Sequence, residues 1–315
     1  MYMRANKIFF IPLLACAGLV SFKSSSSLTV KAQKVADTVQ TGGLFDASEK
    51  PKLISKQFSF TEGASVDKKG NVFFTDQPNN KIWEYSTSGQ LTLFLDSAGR
   101  SNGTYFDKKG NLVTCADEHN QLWSISPKKK ITVLLHDLNG HLMNGPNDIW
   151  IDANGGIYMT DPYYQRDWWE RKKSELDGQR VYYMSKGSNT PVPVASDLQQ
   201  PNGIVGTPDG KYLYVADIRA NKTYKYTIAS DGSLADKQLF TEQGSDGMTL
   251  DIKGNVYLTG KGVTIYNPAG VKIAHIDINE PWTANLCFGG KNKDELFITA
   301  SKAVYTFKMK IRGVE

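Results

Sequence analysis

The chain has 315 residues, a formal net charge of +5, and 15 Tyr, 14 Phe and 28 Gly, a globular composition that leans towards β-structure. That length allows one large domain or two small ones and leaves ample material for a core. No segment beyond the N-terminal region is apolar for long enough to cross a membrane as a helix, and no concentrated basic face indicates a nucleic-acid partner.

In chain order, Arg4 and Lys7 precede an apolar run from Ile8 to Val20, and no acidic residue occurs before Asp37. A charged start followed by a short apolar stretch is the pattern of an export signal. Val30-Lys31-Ala32 resembles a small-residue cleavage site, whereas Leu13-Leu14-Ala15-Cys16 resembles a lipoprotein box that would leave Cys16 lipidated. The expectation is export to the periplasm or medium, with a soluble form preferred and a lipid anchor at Cys16 the one route to a membrane. Removing Arg4, Lys7, Lys23 and Lys31 brings the formal charge from +5 to about +1, so the basicity belongs to targeting. The expected organisation is a signal over residues 1–32, a flexible segment over 33–51 and a single domain over 52–315.

Lys52 to Phe58 has strand-like composition. A motif then recurs: a polar leading residue, an alternating strand, a tight turn with Asp, Gly or Asn, and a second strand. Its copies begin at Glu62, Asn102, Asn147, Asn202, Asp246 and, in degenerate form, Asn285, with steps of 40, 45, 55, 44 and 39 residues. Repeats of about forty residues built from several short strands point to propeller blades, because the apolar spacing of helical repeats is missing. The fold class expected is therefore all-β, a six-bladed β-propeller. Lys52 to Phe58 would pair into the last blade, which removes an exposed sheet edge.

Equivalent positions in repeats around one axis lie on a ring. Glu62, Asn102, Asn147, Asn202, Asp246 and Asn285 should thus approach the mouth of a central channel. Two carboxylates with several amides are all-oxygen donors suited to a hard divalent cation, Ca²⁺ first, with Mg²⁺, Mn²⁺ or Zn²⁺ as substitutes. No Cys or His spacing resembles a dedicated zinc site. Taken singly, Asn102, Asn202 and Asp246 also read as turn residues, since Asn-Gly and Asp-Gly pairs favour turns. Glu62-Gly63 has no such explanation, because Glu is a poor turn former. Asp67, Asp107, Asp152, Asp209 and Asp251 precede the tight turns and read as structural. Cys115 and Cys287 sit in apolar strands and read as buried free thiols, with a disulfide as the alternative.

Glu62-Gly63, Pro146-Asn147-Asp148, Pro201-Asn202-Gly203, Ser245-Asp246-Gly247-Met248 and Asn285 to Gly290 follow one another in an order that resembles the gluconolactonase and regucalcin (senescence marker protein) family. Its members are six-bladed, calcium-dependent lactonases, and diisopropyl fluorophosphatase is a distant relative. The resemblance spans about Phe58 to Lys308. It implies cation ligation by Glu62, Asn147, Asn202 and Asp246 and a substrate-side role for Asn102. Ala64 stands where the family usually has proline.

The chemistry this implies is opening of a lactone, with the cation polarising the carbonyl and an acid taking a proton from water. Asp246 is the preferred base, and Asp148 is a second candidate that strict strand alternation would turn away from the channel. His119 and His141 read as surface or supporting residues. The longest step contains Pro162 to Lys173, with paired Tyr and paired Trp. It is expected to form a lid whose Trp168 and either Arg166 or Arg171 meet a sugar-like or carboxylated ligand. Hydrolysis of phosphoesters or organophosphates at the same site, and a non-catalytic binding module, are the alternatives.

Overall fold

The computed structural model describes residues 43–315, whose strands form six four-stranded antiparallel sheets. Blade one is Thr61–Val66, Val72–Asp76, Lys81–Tyr85 and Leu91–Asp96, and the next four blades repeat this order. The innermost strands of blades two to six are Ser101–Phe106, Ile149–Ile151, Pro201–Gly206, Met248–Leu250 and Thr283–Gly289. Each touches the innermost strands of the blades on either side, which closes the ring as a six-bladed propeller. Lys52–Ser55 pairs with Ala303–Lys308 as the outermost strand of blade six. The ring is thus closed by a strand from the opposite end of the chain, as the composition of that segment predicts.

The radial order follows from side-chain chemistry. Innermost strands such as Thr61–Val66 and Pro201–Gly206 are buried along their whole length, whereas outermost strands such as Leu234–Thr241 are largely exposed. Apolar residues between adjacent sheets make the core, including Phe74, Phe297, Tyr158 and Tyr257. Burying an aromatic side chain of this size is worth roughly 2–3 kcal/mol.

The acidic turn residues are structural. Asp67 Oδ1 accepts the backbone N–H groups of Lys69 and Asn71 at 2.8 and 2.9 Å, and its Oδ2 accepts the Asn71 amide at 3.0 Å. Asp107 and Asp251 repeat all three bonds, and Asp152 repeats the two backbone ones. In blade four Thr207 takes that place and Asp209 supports it, accepting the Thr207 hydroxyl at 2.6 Å.

The segment before the propeller differs from the sequence expectation. Residues 43–51 are not loose: Leu44 and Phe45 are buried, and Phe45 packs edge-on against Phe307 with ring centres 5.0 Å apart. Two adjacent large apolar residues find a core to join. The proposed signal, both processing sites and Cys16 lie outside the described residues. Cys115 and Cys287 are buried free thiols.

Candidate active site

Four blades carry the same irregularity near their leading residues, blade six among them between Thr283 and Asn285. Thr61 pairs with Asp76 and Ser65 with Phe73, so the inner strand holds one residue more than its partner. Blade two repeats this between Ser101 and Thr104, and blade four between Pro201 and Ile204. A bulge bends the strand and re-aims its side chains, here at Glu62, Asn102 and Asn202. This decides against the turn alternative for Asn102-Gly103 and Asn202-Gly203, which lie inside innermost strands. Their glycines allow neighbouring blades to approach. A Cβ on Gly63, whose φ is +49°, would lie 2.0 Å from the Asn102 carbonyl oxygen.

In blades three and five the regular strand starts later, and the leading residue sits in its approach. Asn147 donates its backbone N–H to Thr160 O at 2.9 Å, and Thr160 returns its own to Asp148 O at 3.0 Å. A threonine on the second strand braces each approach: Thr160 Oγ1 accepts the Asp148 N–H at 3.1 Å and Thr259 Oγ1 accepts the Gly247 N–H at 2.8 Å.

Glu62, Asn102, Asn147, Asn202 and Asp246 all line one cavity of about 500 Å³ at this end of the channel. Tyr164, Arg166, Trp168 and Trp282 complete its wall. Glu62 is pushed well above the usual carboxylate range, first by burial and then by the charges of Asp246 and Asp148. Burial raises Asp246 to about 6, opposed by the indole N–H of Trp282, the Asn202 amide and the charge of Arg166. Asn202 donates its amide N–H to the Tyr164 hydroxyl at 3.0 Å, which leaves its buried Oδ1 without a partner. Excess buried negative charge beside an orphaned amide oxygen is what a hard cation satisfies. The residues therefore fit a divalent cation, which Glu62, Asn147, Asn202 and Asp246 would hold. Among the described residues no three His, Cys, Asp or Glu side chains cluster as ligands, so the amides are needed to complete the set.

Asp148 and Asn285 are not brought to this cavity. They line a second cavity, of about 400 Å³, towards the end of the channel where the tight turns lie. Alternation past Asn147 turns Asp148 to the other side, so the rule holds even in this irregular approach. Asp148 Oδ1 accepts the Ile149 N–H at 3.0 Å, and burial raises its pKa well above the ordinary value. As a catalytic candidate Asp148 is thus withdrawn, and as a member of the ring so is Asn285.

The excursion within blade three covers the mouth. Its paired tryptophans separate: Trp168 lines the cavity, and Trp169 is buried and donates its indole N–H to Asp117 O at 2.8 Å. Of the two arginines only Arg166 reaches the cavity. Arg171 lies over the rings of Tyr163 and Trp169 and donates to Asn144 O. His119 stacks on Trp123 and His141 is exposed, both away from the cavity. Tyr164, Trp282 and Gln77 are wall residues that spacing alone does not single out; only the Pro281-Trp282 pair before a leading residue hints at one of them.

The model of the SMP-30/gluconolactonase/LRE-like region matches residues 60–302, which takes in five blades and the two inner strands of the sixth. The chain belongs to this family. Among the family's curated members, a gluconolactonase of Zymomonas mobilis is 26% identical over 302 residues, covering 86% of this chain and 84% of its own. The solved structure of a putative gluconolactonase superposes with a TM-score of 0.80 at 26% identity, covering 88% of this chain and 97% of that one. A regucalcin of Agrobacterium tumefaciens, described as a calcium-binding protein, shares the fold with a TM-score of 0.68 at 18% identity, covering 84% and 95%.

Proposed function

We propose that the chain is a metal-dependent hydrolase that opens lactones, of the gluconolactonase kind. The observation that carries this reading is the convergence of Glu62, Asn147, Asn202 and Asp246, from four blades, on one cavity that also holds an unsatisfied amide oxygen. The names of the relatives support the same chemistry. The donor set favours Ca²⁺. When bound, such a cation supplies Lewis-acid polarisation of the lactone carbonyl.

The chain's own groups carry the remaining steps. Asp246, whose Oδ2 accepts the Trp282 indole N–H at 2.6 Å, takes a proton from water as the water oxygen attacks the carbonyl carbon. The ring C–O bond then breaks, and the ring oxygen receives that proton to give the hydroxy acid. Asn102 and Trp168 line the space where the substrate's ring would rest. The excursion restricts water at the mouth.

The test is turnover of a panel of aldonolactones, aliphatic lactones and aryl esters by the full chain. Each is measured with added Ca²⁺ and with chelator, beside Asp246→Ala. Chelator-sensitive lactone turnover lost in the variant is expected. Turnover of phosphoesters alone would replace this reading, and Ca²⁺ binding without any turnover would make the propeller a binding module.

A further inference from the structure

Three blades share an acid at the end of the second strand, and blade two carries its acid one place later, against a partner that lines the cavity. In blades one, three and four the second strand ends on Asp76, Asp161 or Asp217, each tying down the chain that enters its own blade. Asp76 accepts the N–H groups of Ser59 and Phe60, Asp161 those of Asn144 and Gly145, and Asp217 those of Gln199 and Gln200, at 2.7–3.2 Å. The register places Ala116 in this position in blade two, since it pairs with Ser101 as Asp76 pairs with Thr61. The acid comes one residue later, at Asp117, and a one-residue step sends a side chain in another direction. Asn80 ties down the entering chain of this blade instead, its Oδ1 accepting the Arg100 N–H at 2.7 Å.

Asp117 is thereby free for other partners while 2% exposed. Its Oδ2 accepts Gln77 Nε2 at 3.1 Å and Arg166 Nε at 3.0 Å. The guanidinium carbon of Arg166 lies 5.4 Å from the centre of the Tyr164 ring and 5.6 Å from that of Trp168. The group is thus held at Nε and braced by two rings. Among the described residues its terminal nitrogens have no protein acceptor, and it lines the cavity with Glu62 and Asp246. Two parallel N–H groups on a rigid plane match a carboxylate better than a hydroxyl. Its charge now faces two carboxylates; once a dication balances those, it is available to an anionic substrate.

We propose that Arg166, positioned by Asp117, reads a carboxylate, and that the substrate is an acidic sugar lactone bearing a carboxylate away from its reacting carbonyl. This rests on the lactonase reading of the same cavity. The probes are D-glucono-1,5-lactone, which is neutral, and D-glucaro-1,4-lactone, which carries the extra carboxylate. Wild type should favour the acidic lactone at least about tenfold in kcat/KM. Arg166→Met should raise KM for it about 10–100-fold, whereas the neutral lactone should lose activity chiefly in kcat, through the charge removed beside Asp246, with its KM little changed. Asp117→Asn should show a smaller loss of the same selectivity, in KM rather than kcat, with partial rescue by Asp117→Glu. Equal rises in KM for both lactones, or no preference in wild type, would overturn the proposal and leave the lactonase reading standing.

Binding separates the two ideas. Calorimetric titration of the Ca²⁺-loaded full chain compares D-glucarate with D-gluconate, which lacks the second carboxylate. Glucarate binding that exceeds gluconate binding and is lost in Arg166→Met supports carboxylate recognition even where no lactone is turned over. Equal glucarate affinity in wild type and Arg166→Met overturns it.

Discussion

The indole N–H of Trp282 donates to Asp246 Oδ2 at 2.6 Å, tying the loop that enters blade six to the acid that leads blade five. This bond favours the ionised carboxylate against the burial that raises it to about 6. Trp282→Phe keeps most of the ring and removes the donor, so Asp246 should titrate higher by about one pH unit, equivalent to one charge-assisted bond of about 1.4 kcal/mol. A base must be ionised to act, so the acidic limb of the kcat/KM profile should move to higher pH. Activity of the variant should fall several-fold near pH 6 and approach that of wild type near pH 9. An unmoved limb would remove Asp246 from the role of base.

Gly63 is where blade one meets blade two. With φ at +49° and the Asn102 carbonyl oxygen 2.0 Å from a built Cβ, Gly63→Ala combines backbone strain with a clash against main chain that cannot step aside. The expected loss is roughly 2–4 kcal/mol in urea unfolding, summing those two effects. Glu62 precedes this glycine and Asn102 faces it, so Ca²⁺ affinity should fall as well. Gly187→Ala is a suitable control: its φ is +79° with nothing within 4 Å of the built Cβ, so it carries the strain without the clash.

Much of this was legible because a repeat imposes its own geometry. Spacing between Glu62, Asn102, Asn147, Asn202 and Asp246 identifies blades, and rotational symmetry then places the five at one mouth. What failed to read depended on single-residue register. Asn102-Gly103 has the composition of a turn, yet the extra inner-strand residue between Ser101 and Thr104 makes it a bulge. Asp148 adjoins a cavity residue but faces the other way. Asp117 looks like one more strand-end acid until the pairing of Ala116 with Ser101 shows it displaced by one place. Trp282 and Asp246 are 36 residues apart, and only closure of the ring brings them together.

Asp161 gives a pH dependence of stability apart from catalysis. Burial raises it to about 7, although the N–H groups of Asn144 and Gly145 pull the other way. An acid whose folded pKa exceeds its unfolded value, about 3.9, binds more protons in the folded state between the two. Its contribution is therefore greatest below about pH 4 and is lost as pH rises towards 7. The stability of wild type minus that of Asp161→Asn should decline by a few kcal/mol across this window and level off above it. A difference that grows with pH would show that the two N–H donors outweigh burial.

The closing strand offers a test of the ring itself. Lys52 pairs with Thr306 and Leu53 with Tyr305, so Lys52–Ser55 covers the edge of Ala303–Lys308. Two truncated chains, starting at Lys52 and at Lys56, both lack the Leu44 and Phe45 contacts and both retain the ion pair of Lys56 with Glu280. They differ only in the four residues of the strand. Removing it should cost about 4 kcal/mol at about 1 kcal/mol per residue, which lowers Tm by about 10 °C for a domain of this size. It also exposes unpaired N–H and C=O groups on a strand whose neighbours are apolar, a template for pairing with another chain. The shorter chain should therefore elute partly as dimer or larger species in size-exclusion chromatography while the longer one does not. Equal Tm values and elution would mean that three strands suffice for blade six.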